Sequence, residues 1–144
     1  MNFETFYREM AQRFLERDLT LEEGCSEAEL RAAEARLGFA LPLALHEFYR
    51  VAGRSSELNE HNPLYALGEL EVKDDYLPFM VENQAVVFWA VRADACNQAD
   101  PLVWQATNEE LLEWFSDGWF SEELPVSRFL FEMFRWQFEA TPDD

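Results

Sequence analysis

Two histidines are the residues of this 144-residue chain best suited to general acid–base chemistry. A catalytic triad needs an imidazole beside a nucleophile and an orienting group, and His46 and His61 are the only candidates. Neither stands in a recognisable catalytic motif. His46 falls within a predicted helix, where a surface or half-buried histidine is the better interpretation. His61 has Glu57 and Glu60 nearby, but their loose spacing makes a poor metal site. We therefore predict no metal and no cofactor.

The 29 acidic residues could in principle supply the paired carboxylates of a glycosidase. In so acidic a chain some pairs arise by chance, and Asp74 and Asp75 would point to opposite faces if that stretch is a strand. The sequence contains no GxGxxG, P-loop or GxSxG motif, so nucleotide binding and a hydrolase elbow have no support. We predict that the protein is not an enzyme. A hydrolase that uses an acidic pair is the least favoured alternative.

Excess negative charge is the strongest compositional signal. The acids outnumber 11 basic residues and give a net charge of −18, so the phosphates of nucleic acid would be repelled. Two interpretations stay open: the charge keeps an aromatic-rich chain soluble, or it attracts a basic protein. A hydrophobic share of 49%, with 13 Phe, 5 Trp and 4 Tyr, predicts a folded core rather than disorder.

Two stretches concentrate the acids and are the candidate contact surfaces. Between positions 54 and 82 seven acids accompany two bases, for a charge of −5, and between 107 and 125 six acids accompany none, for −6. The second stretch also contains aromatic residues, and aromatic anchors among acids suit a site that binds Arg or Lys, although these aromatics could equally belong to the core. The predicted partner-binding residues are Glu57, Glu60, Glu69, Glu71, Asp74, Asp75, Glu82, Glu109, Glu110, Glu113, Trp114, Asp117, Trp119, Glu122 and Glu123.

The chain shows no signal for export or membrane insertion, which favours a cytoplasmic location. The N-terminal sequence MNFETFYREM is acidic and amphipathic and lacks the basic and apolar regions of a signal peptide. The longest apolar run, 85–91, is too short to span a bilayer. Cys25 and Cys96 lack metal-ligand spacing, and we expect free thiols in a reducing compartment.

Helical patterns occupy the first third of the chain, and strand patterns follow. The helices are indicated by apolar residues at helical spacing, by a capping box at Ser26 and Glu29, and by glycines at their ends. The segments 76–82 and 85–91 are rich in Val, Phe, Tyr and Trp and predict a hairpin with Asn83-Gln84 as its turn. The predicted segments are helices at 3–18, 26–37 and 42–52, an exposed polar loop at 54–63, a weakly signalled strand at 70–72, the hairpin, a strand at 102–106 and a short helix at 108–115.

A final helix is predicted from Val126 to Glu139, and it is apolar nearly all round. Phe131, Phe134 and Phe138 form a second apolar side. Such a helix is either sandwiched between other elements, which is the favoured interpretation, or leaves one face for a second copy of the chain. The oligomeric state therefore stays open. We find no repeat or linker and predict a single domain over residues 1–144.

Several motifs in this order resemble the SMI1/KNR4 or SUKH superfamily. The Tyr76–Gln84 segment followed by Val87 and Trp89 is similar to the family's ENQ-G-V-x-x-W hairpin, the most specific of these motifs, with Ala85 where glycine is common. The other matching motifs are the Ser26-to-Gly38 helix with Leu41-Pro42 and Phe48-Tyr49 up to Gly53, then Asp100-Pro101 with Val103 and Trp104, where Leu102 replaces a common proline, and finally Ser127-Arg128-Phe129-Leu130 with Met133.

The resemblance implies an α+β domain with a mostly antiparallel sheet flanked by N-terminal and C-terminal helices. Bacterial members are often immunity proteins encoded beside toxins, eukaryotic members are signalling or scaffold proteins, and no shared catalytic residues are known. We therefore predict a bacterial immunity protein that binds and blocks a basic toxin, such as a nuclease. The alternative is a non-catalytic interaction or regulatory module with an endogenous protein partner.

Overall fold

The computed structural model describes residues 1–107 and 118–139. Within these ranges three α-helices come first along the chain, four β-strands follow, and one α-helix comes last. They are α1 (Phe3–Leu15), α2 (Glu27–Leu37), α3 (Leu43–Ala52), β1 (Tyr76–Val81), β2 (Val87–Arg92), β3 (Leu102–Thr107), β4 (Phe120–Pro125) and α4 (Val126–Glu139). The strands form an antiparallel sheet in the order β1-β2-β3-β4, which confirms the predicted α+β class.

The caps of the second helix confirm the predictions from local sequence. Ser26 Oγ accepts a hydrogen bond from the Glu29 amide, and the Glu29 carboxylate accepts one from the Ser26 amide, both at 3.1 Å. Gly38 ends α2 with a φ of 88°, a left-handed conformation that glycine adopts without strain. α1 ends at Leu15 rather than near position 18 because Glu16 takes a left-handed φ of 59°.

The inner face of the sheet packs against α4. Side chains alternate across a strand, and Val91 and Val103 lie in the core on this face. The ring of Phe129 on α4 lies 6.2 Å from Phe79 and 5.7 Å from Trp89, centroid to centroid. Two aromatic residues of the predicted hairpin, Phe79 and Trp89, therefore form part of the core.

The opposite side of α4 is covered by α1. Phe131 contacts Phe6 and Phe14 at centroid distances of 6.2 and 5.6 Å, and Phe138 stacks on Phe14 at 5.9 Å. The sandwiched interpretation of α4 is thereby confirmed. The alternative, that Phe131, Phe134 and Phe138 are left for a second copy, is wrong because α1 covers Phe131 and Phe138, and Phe48 of α3 stacks on Phe134 at 5.8 Å.

The predicted exposed loop at 54–63 is only partly exposed. Ser55, Leu58 and Asn62 are buried, and Ser55 Oγ accepts a hydrogen bond from the Leu58 amide at 3.3 Å. Leu58 is an apolar side chain in this polar segment and packs into the core, and Ser55 and Asn62 are buried with it. Local composition does not predict this burial because it depends on tertiary packing.

The prediction of a strand at 70–72 is wrong. Leu70 is buried after a 3₁₀ turn at Leu67–Glu69. The guanidinium of Arg36 donates to the carbonyl oxygens of Leu67 and Leu70, each at 2.8 Å, and so occupies acceptors that a strand partner would need. β4 was not predicted because its Ser-Glu-Glu centre lacks strand character. The helix predicted at 108–115 lies outside the described residues.

The turn between β1 and β2 is longer than the predicted two residues. The pairing closes with the Glu82 amide donating to the Val87 carbonyl at 2.9 Å, and Ala85 takes a φ of 58°. Left-handed geometry costs an alanine about 1–2 kcal/mol, which explains why glycine is common at this place in the motif.

We predict that Ala85→Gly stabilises the protein. Glycine removes the left-handed strain but adds entropy to the unfolded chain, so the net gain in unfolding free energy should be about 0.5–1 kcal/mol. Denaturant unfolding measures it. Ala35→Gly, at an exposed position of α2, is the matched control and should instead lose about 1 kcal/mol. A loss of stability in both variants would contradict the strain argument.

An ion-pair network joins the end of α1 to the loop at 54–63. Arg17 contacts both carboxylate oxygens of Glu23, at 2.8 and 2.9 Å, and one oxygen of Glu57 at 2.5 Å. The hydrogen bonds from Arg17 lower the pKa of the Glu23 carboxyl from 4.5 to about 2. Because this pKa is depressed in the folded state, the stabilisation is complete above pH 4.5 and is lost as the pH falls towards 2.

We therefore expect Glu23→Gln to lower the unfolding free energy at pH 7 by about 1 kcal/mol. The difference from the unsubstituted protein should shrink steadily between pH 4.5 and 2, as measured by denaturant unfolding across that range. Glu22→Gln removes the same charge from an exposed neighbour that makes no ion pair among the described residues. Equal losses in both variants at pH 7 would show that net charge, not the network, is responsible.

Candidate protein-binding surface

The outer face of the sheet carries an aromatic cluster made of Tyr76, Trp104 and Trp119. Tyr76 on β1 stacks on Trp119 with ring centroids 4.3 Å apart and planes 11° from parallel, and it meets the edge of Trp104 at 5.8 Å. Tyr76 is buried but lies outside the main core. The guanidinium of Arg92 lies 5.5 Å from the Tyr76 ring and is held by Asp94 at 3.0 Å.

Two of the predicted acids stand at the rim of the aromatic cluster. Asp74 and Asp75 are exposed and take φ values of 51° and 71° in a tight turn closed by hydrogen bonds between Lys73 and Tyr76. The stretch is not a strand, so the condition for two carboxylates on opposite faces is not met. The turn that carries the two carboxylates leads directly into Tyr76.

The second acidic stretch reaches the same surface through Trp119. Glu122 and Glu123 follow it in β4, an edge strand, and Glu123 takes a φ of 62°. Bulges and charges at an edge strand discourage pairing with a strand of another chain. Phe120, at the start of β4, is 59% exposed. The contact of Tyr76 with Trp119 thus brings together residues from both predicted stretches.

Other predicted residues have internal roles or lie elsewhere. Glu57 is paired with Arg17, and the Glu69 carboxylate accepts a hydrogen bond from the Ala66 amide at 2.9 Å. Glu82 lies at the far end of β1 from Asp75, about 20 Å along the strand. Glu71 is exposed shortly before the Asp74 turn, and Glu60 is exposed in the loop at 54–63. The residues Glu109, Glu110, Glu113, Trp114 and Asp117 lie outside the described residues.

Sequence reasoning missed Tyr76, Trp104 and Arg92 as members of this surface. The sequence pattern places the two aromatics in predicted strands and family motifs, with no indication that they form a surface. Arg92 lies just outside the predicted strand at 85–91. The register pairs Tyr76 with Arg92 and Ala90 with Trp104, but register is set by the whole sheet and by the turn. Only the alternation of side chains along β2 and β3 could have signalled which residues share this face.

The candidate catalytic side chains have other partners. His46 Nδ1 lies 3.3 Å from Glu47 and Nε2 lies 4.0 Å from Glu27, with no hydroxyl or thiol bound to it among the described residues. Cys25 and Cys96 are free and buried. Burial, aided by Asp94, raises the pKa of the Cys96 thiol to about 11, so its reactive thiolate is scarce at neutral pH.

An open groove of about 430 Å³ lies where the end of α3 meets the start of α2, and Arg8, Arg50 and Arg54 line it. All three arginines are neutralised: Arg8 by Glu4, Arg50 by Glu4 and Glu47, and Arg54 by Glu29. The groove therefore has no cation left for an anionic ligand. In residues 1–107 and 118–139, no three His, Cys, Asp or Glu side chains converge as a metal site would require.

Comparison with known proteins identifies a family for most of the chain. No helix in the described part of the chain is long and apolar enough to cross a membrane. Searches of curated proteins and of solved structures found no match. The family model of the SMI1 / KNR4 family (SUKH-1) matches residues 24–133, a range that runs from the start of α2 into α4 and includes the aromatic cluster. SUKH-1 proteins are in general non-catalytic immunity proteins that bind toxins. This chain belongs to the SMI1/KNR4 (SUKH-1) family.

Proposed function

We propose that this protein is a bacterial immunity protein that binds a cognate basic toxin domain and blocks it sterically. Residues 1–107 and 118–139 carry the surface described above, and the whole chain, 1–144, acts as one binding domain. Two buried free thiols suit the reducing cytoplasm. A nuclease is the toxin class that fits best, because a surface that binds phosphates must be basic.

The observation that carries the proposal is how the charges are divided. Eight of the 11 basic side chains are in ion pairs with the chain's own acids. Eight predicted contact acids, in contrast, have no ion-pair partner within the described ranges; they are Glu60, Glu69, Glu71, Asp74, Asp75, Glu82, Glu122 and Glu123. The protein thus neutralises most of its cations internally and leaves these acids without a cation, six of them exposed and Glu82 and Glu122 half-buried, so that they can steer and hold a cationic partner.

The geometry of the aromatic cluster supports the same conclusion. Interface hot spots combine aromatic anchors with surrounding polar groups that exclude water. Tyr76 and Trp119 are held face to face, while Asp74 and Asp75 are fixed by their turn. Because these groups are positioned before binding, little conformational entropy is lost when the partner arrives.

The primary test is to mix the purified chain with the product of the neighbouring toxin gene. We expect a stable one-to-one complex by sedimentation, with loss of toxin activity. The affinity should fall at least about tenfold as salt is raised through the physiological range, because exposed charges are screened. Failure to bind any toxin encoded beside it would reject the proposal in favour of an endogenous regulatory partner.

A charge-neutral variant locates the contact. Asp74→Asn with Asp75→Asn keeps the left-handed turn, which asparagine tolerates, and removes two carboxylates beside Tyr76. We expect the dissociation constant for the toxin to rise about tenfold at low salt, chiefly through slower association. Calorimetry and stopped-flow mixing measure the two effects.

The matched control removes the same charge from the helical side. Glu9→Gln with Asp18→Asn changes two exposed acids that make no side-chain ion pair among the described residues. This variant should bind the toxin almost normally. An equal loss in both variants would mean that total charge alone, and not the surface around Tyr76, governs binding.

A further inference from the structure

An exposed tryptophan stands on the helical side of the molecule, away from the aromatic cluster. Trp136 on α4 is 57% exposed, and its ring lies 5.3 Å from that of His61, with the planes at 48°. α1 covers Phe131 and Phe138 of the same helix but leaves this ring in solvent. A half-exposed tryptophan held against a second ring offers a large, rigid contact area.

The loop that carries His61 is fixed to α4. Asn62 Nδ2 lies 3.0 Å from the sulfur of Met133, one turn before Trp136, and Arg17 holds the same loop through Glu57. The loop beside Trp136 is therefore held in place before any partner binds, which lowers the entropy lost on binding.

The residue that follows each ring residue in the chain has a buried side-chain oxygen that accepts no hydrogen bond among the described residues. Asn62 is 4% exposed, and its Oδ1, like Oε1 of Gln137, is buried without a hydrogen-bond partner among the described residues. Buried acceptors left unpaired are rare and destabilising. The two residues that carry them directly follow His61 and Trp136 in the chain, which indicates a place where a donor-rich group can bind once the exposed Trp136 ring shifts aside.

The charge around the Trp136–His61 pair favours a cation as the donor-rich group. Glu60 precedes His61, is exposed and makes no ion pair within the described chain. The nearby cations Arg128 and Arg135 are both committed to Glu132, at 3.1 and 2.6 Å. An aromatic face, a free carboxylate and two acceptors together match a guanidinium, which stacks on aromatic rings and has five N–H donors.

We infer that the Trp136–His61 pair is a second docking point, which takes an arginine side chain of the partner protein. The guanidinium stacks on Trp136, faces Glu60 and donates to the side-chain carbonyls of Asn62 and Gln137. The identity of that partner, the basic toxin, rests on the proposed function, whereas the chemistry of the site does not.

The test therefore uses a probe that requires no toxin. A short peptide of alternating glycine and arginine is titrated into the isotope-labelled full chain at high salt, and the nuclear magnetic resonance signals of the Trp136 indole and of the Asn62 and Gln137 side-chain amides are followed. We expect saturable shifts at these three groups. A lysine peptide should bind more weakly, and a citrulline peptide, which lacks the charge, should leave them unchanged.

Trp136→Ala should weaken binding of the arginine peptide about tenfold, and Glu60→Gln should weaken it by a smaller factor. Leu21→Ala, which truncates a side chain that is 91% exposed, is the control and should bind as the unsubstituted chain does. Thermal unfolding verifies that each variant is folded. Shifts that avoid Trp136, or equal shifts with the citrulline peptide, would overturn the inference, as would self-association that Trp136→Ala abolishes. None of these results depends on whether the toxin complex forms.

Discussion

The packing of α4 between the sheet and α1 is the constraint on which the rest of the structure depends. Phe129 faces Phe79 and Trp89 of the sheet, while Phe131 and Phe138 face α1. A helix apolar on two sides must be covered on both, because each exposed aromatic ring would forgo a large hydrophobic gain. Covering it aligns the inner face of the sheet and the helical layer at the same time.

This packing decides which surfaces remain for a partner. The inner face of the sheet is used by the core, so binding must involve the outer face, the edge strand or the outside of the helices. On the outer face, Tyr76, Trp104 and Trp119 form their own small cluster, separate from the main core. The exposed acids stand around it on a tight turn and on β4, whose backbone restricts where their carboxylates can lie.

The fold also uses the few basic side chains of this acidic chain to connect its elements. Arginines at the ends of helices join elements that are distant in sequence: Arg13 reaches Glu139, and Arg50 reaches Glu4. Each of these ion pairs is partly exposed and of modest strength. Together they bind basic side chains that would otherwise be free to screen other carboxylates. The surface is negative because 29 acids outnumber 11 bases, and the pairing decides which carboxylates are left without a cation.

The sequence by itself determined the four α-helices of the described residues, the caps at Ser26, Glu29 and Gly38, and the family, because capping boxes, helical apolar stripes and short motifs act over a few residues. The predicted strands at 76–82, 85–91 and 102–106 were also placed correctly to within a residue or two at most ends. Only the tertiary structure decided the stack of Tyr76 on Trp119 and the partners of the arginines. Both kinds of contact join residues that are distant in the sequence. The stack depends on the sheet register, which the turn at Ala85 helps to set, and no glycine there signals the left-handed conformation. The arginine partners depend on long-range packing, which no local pattern encodes.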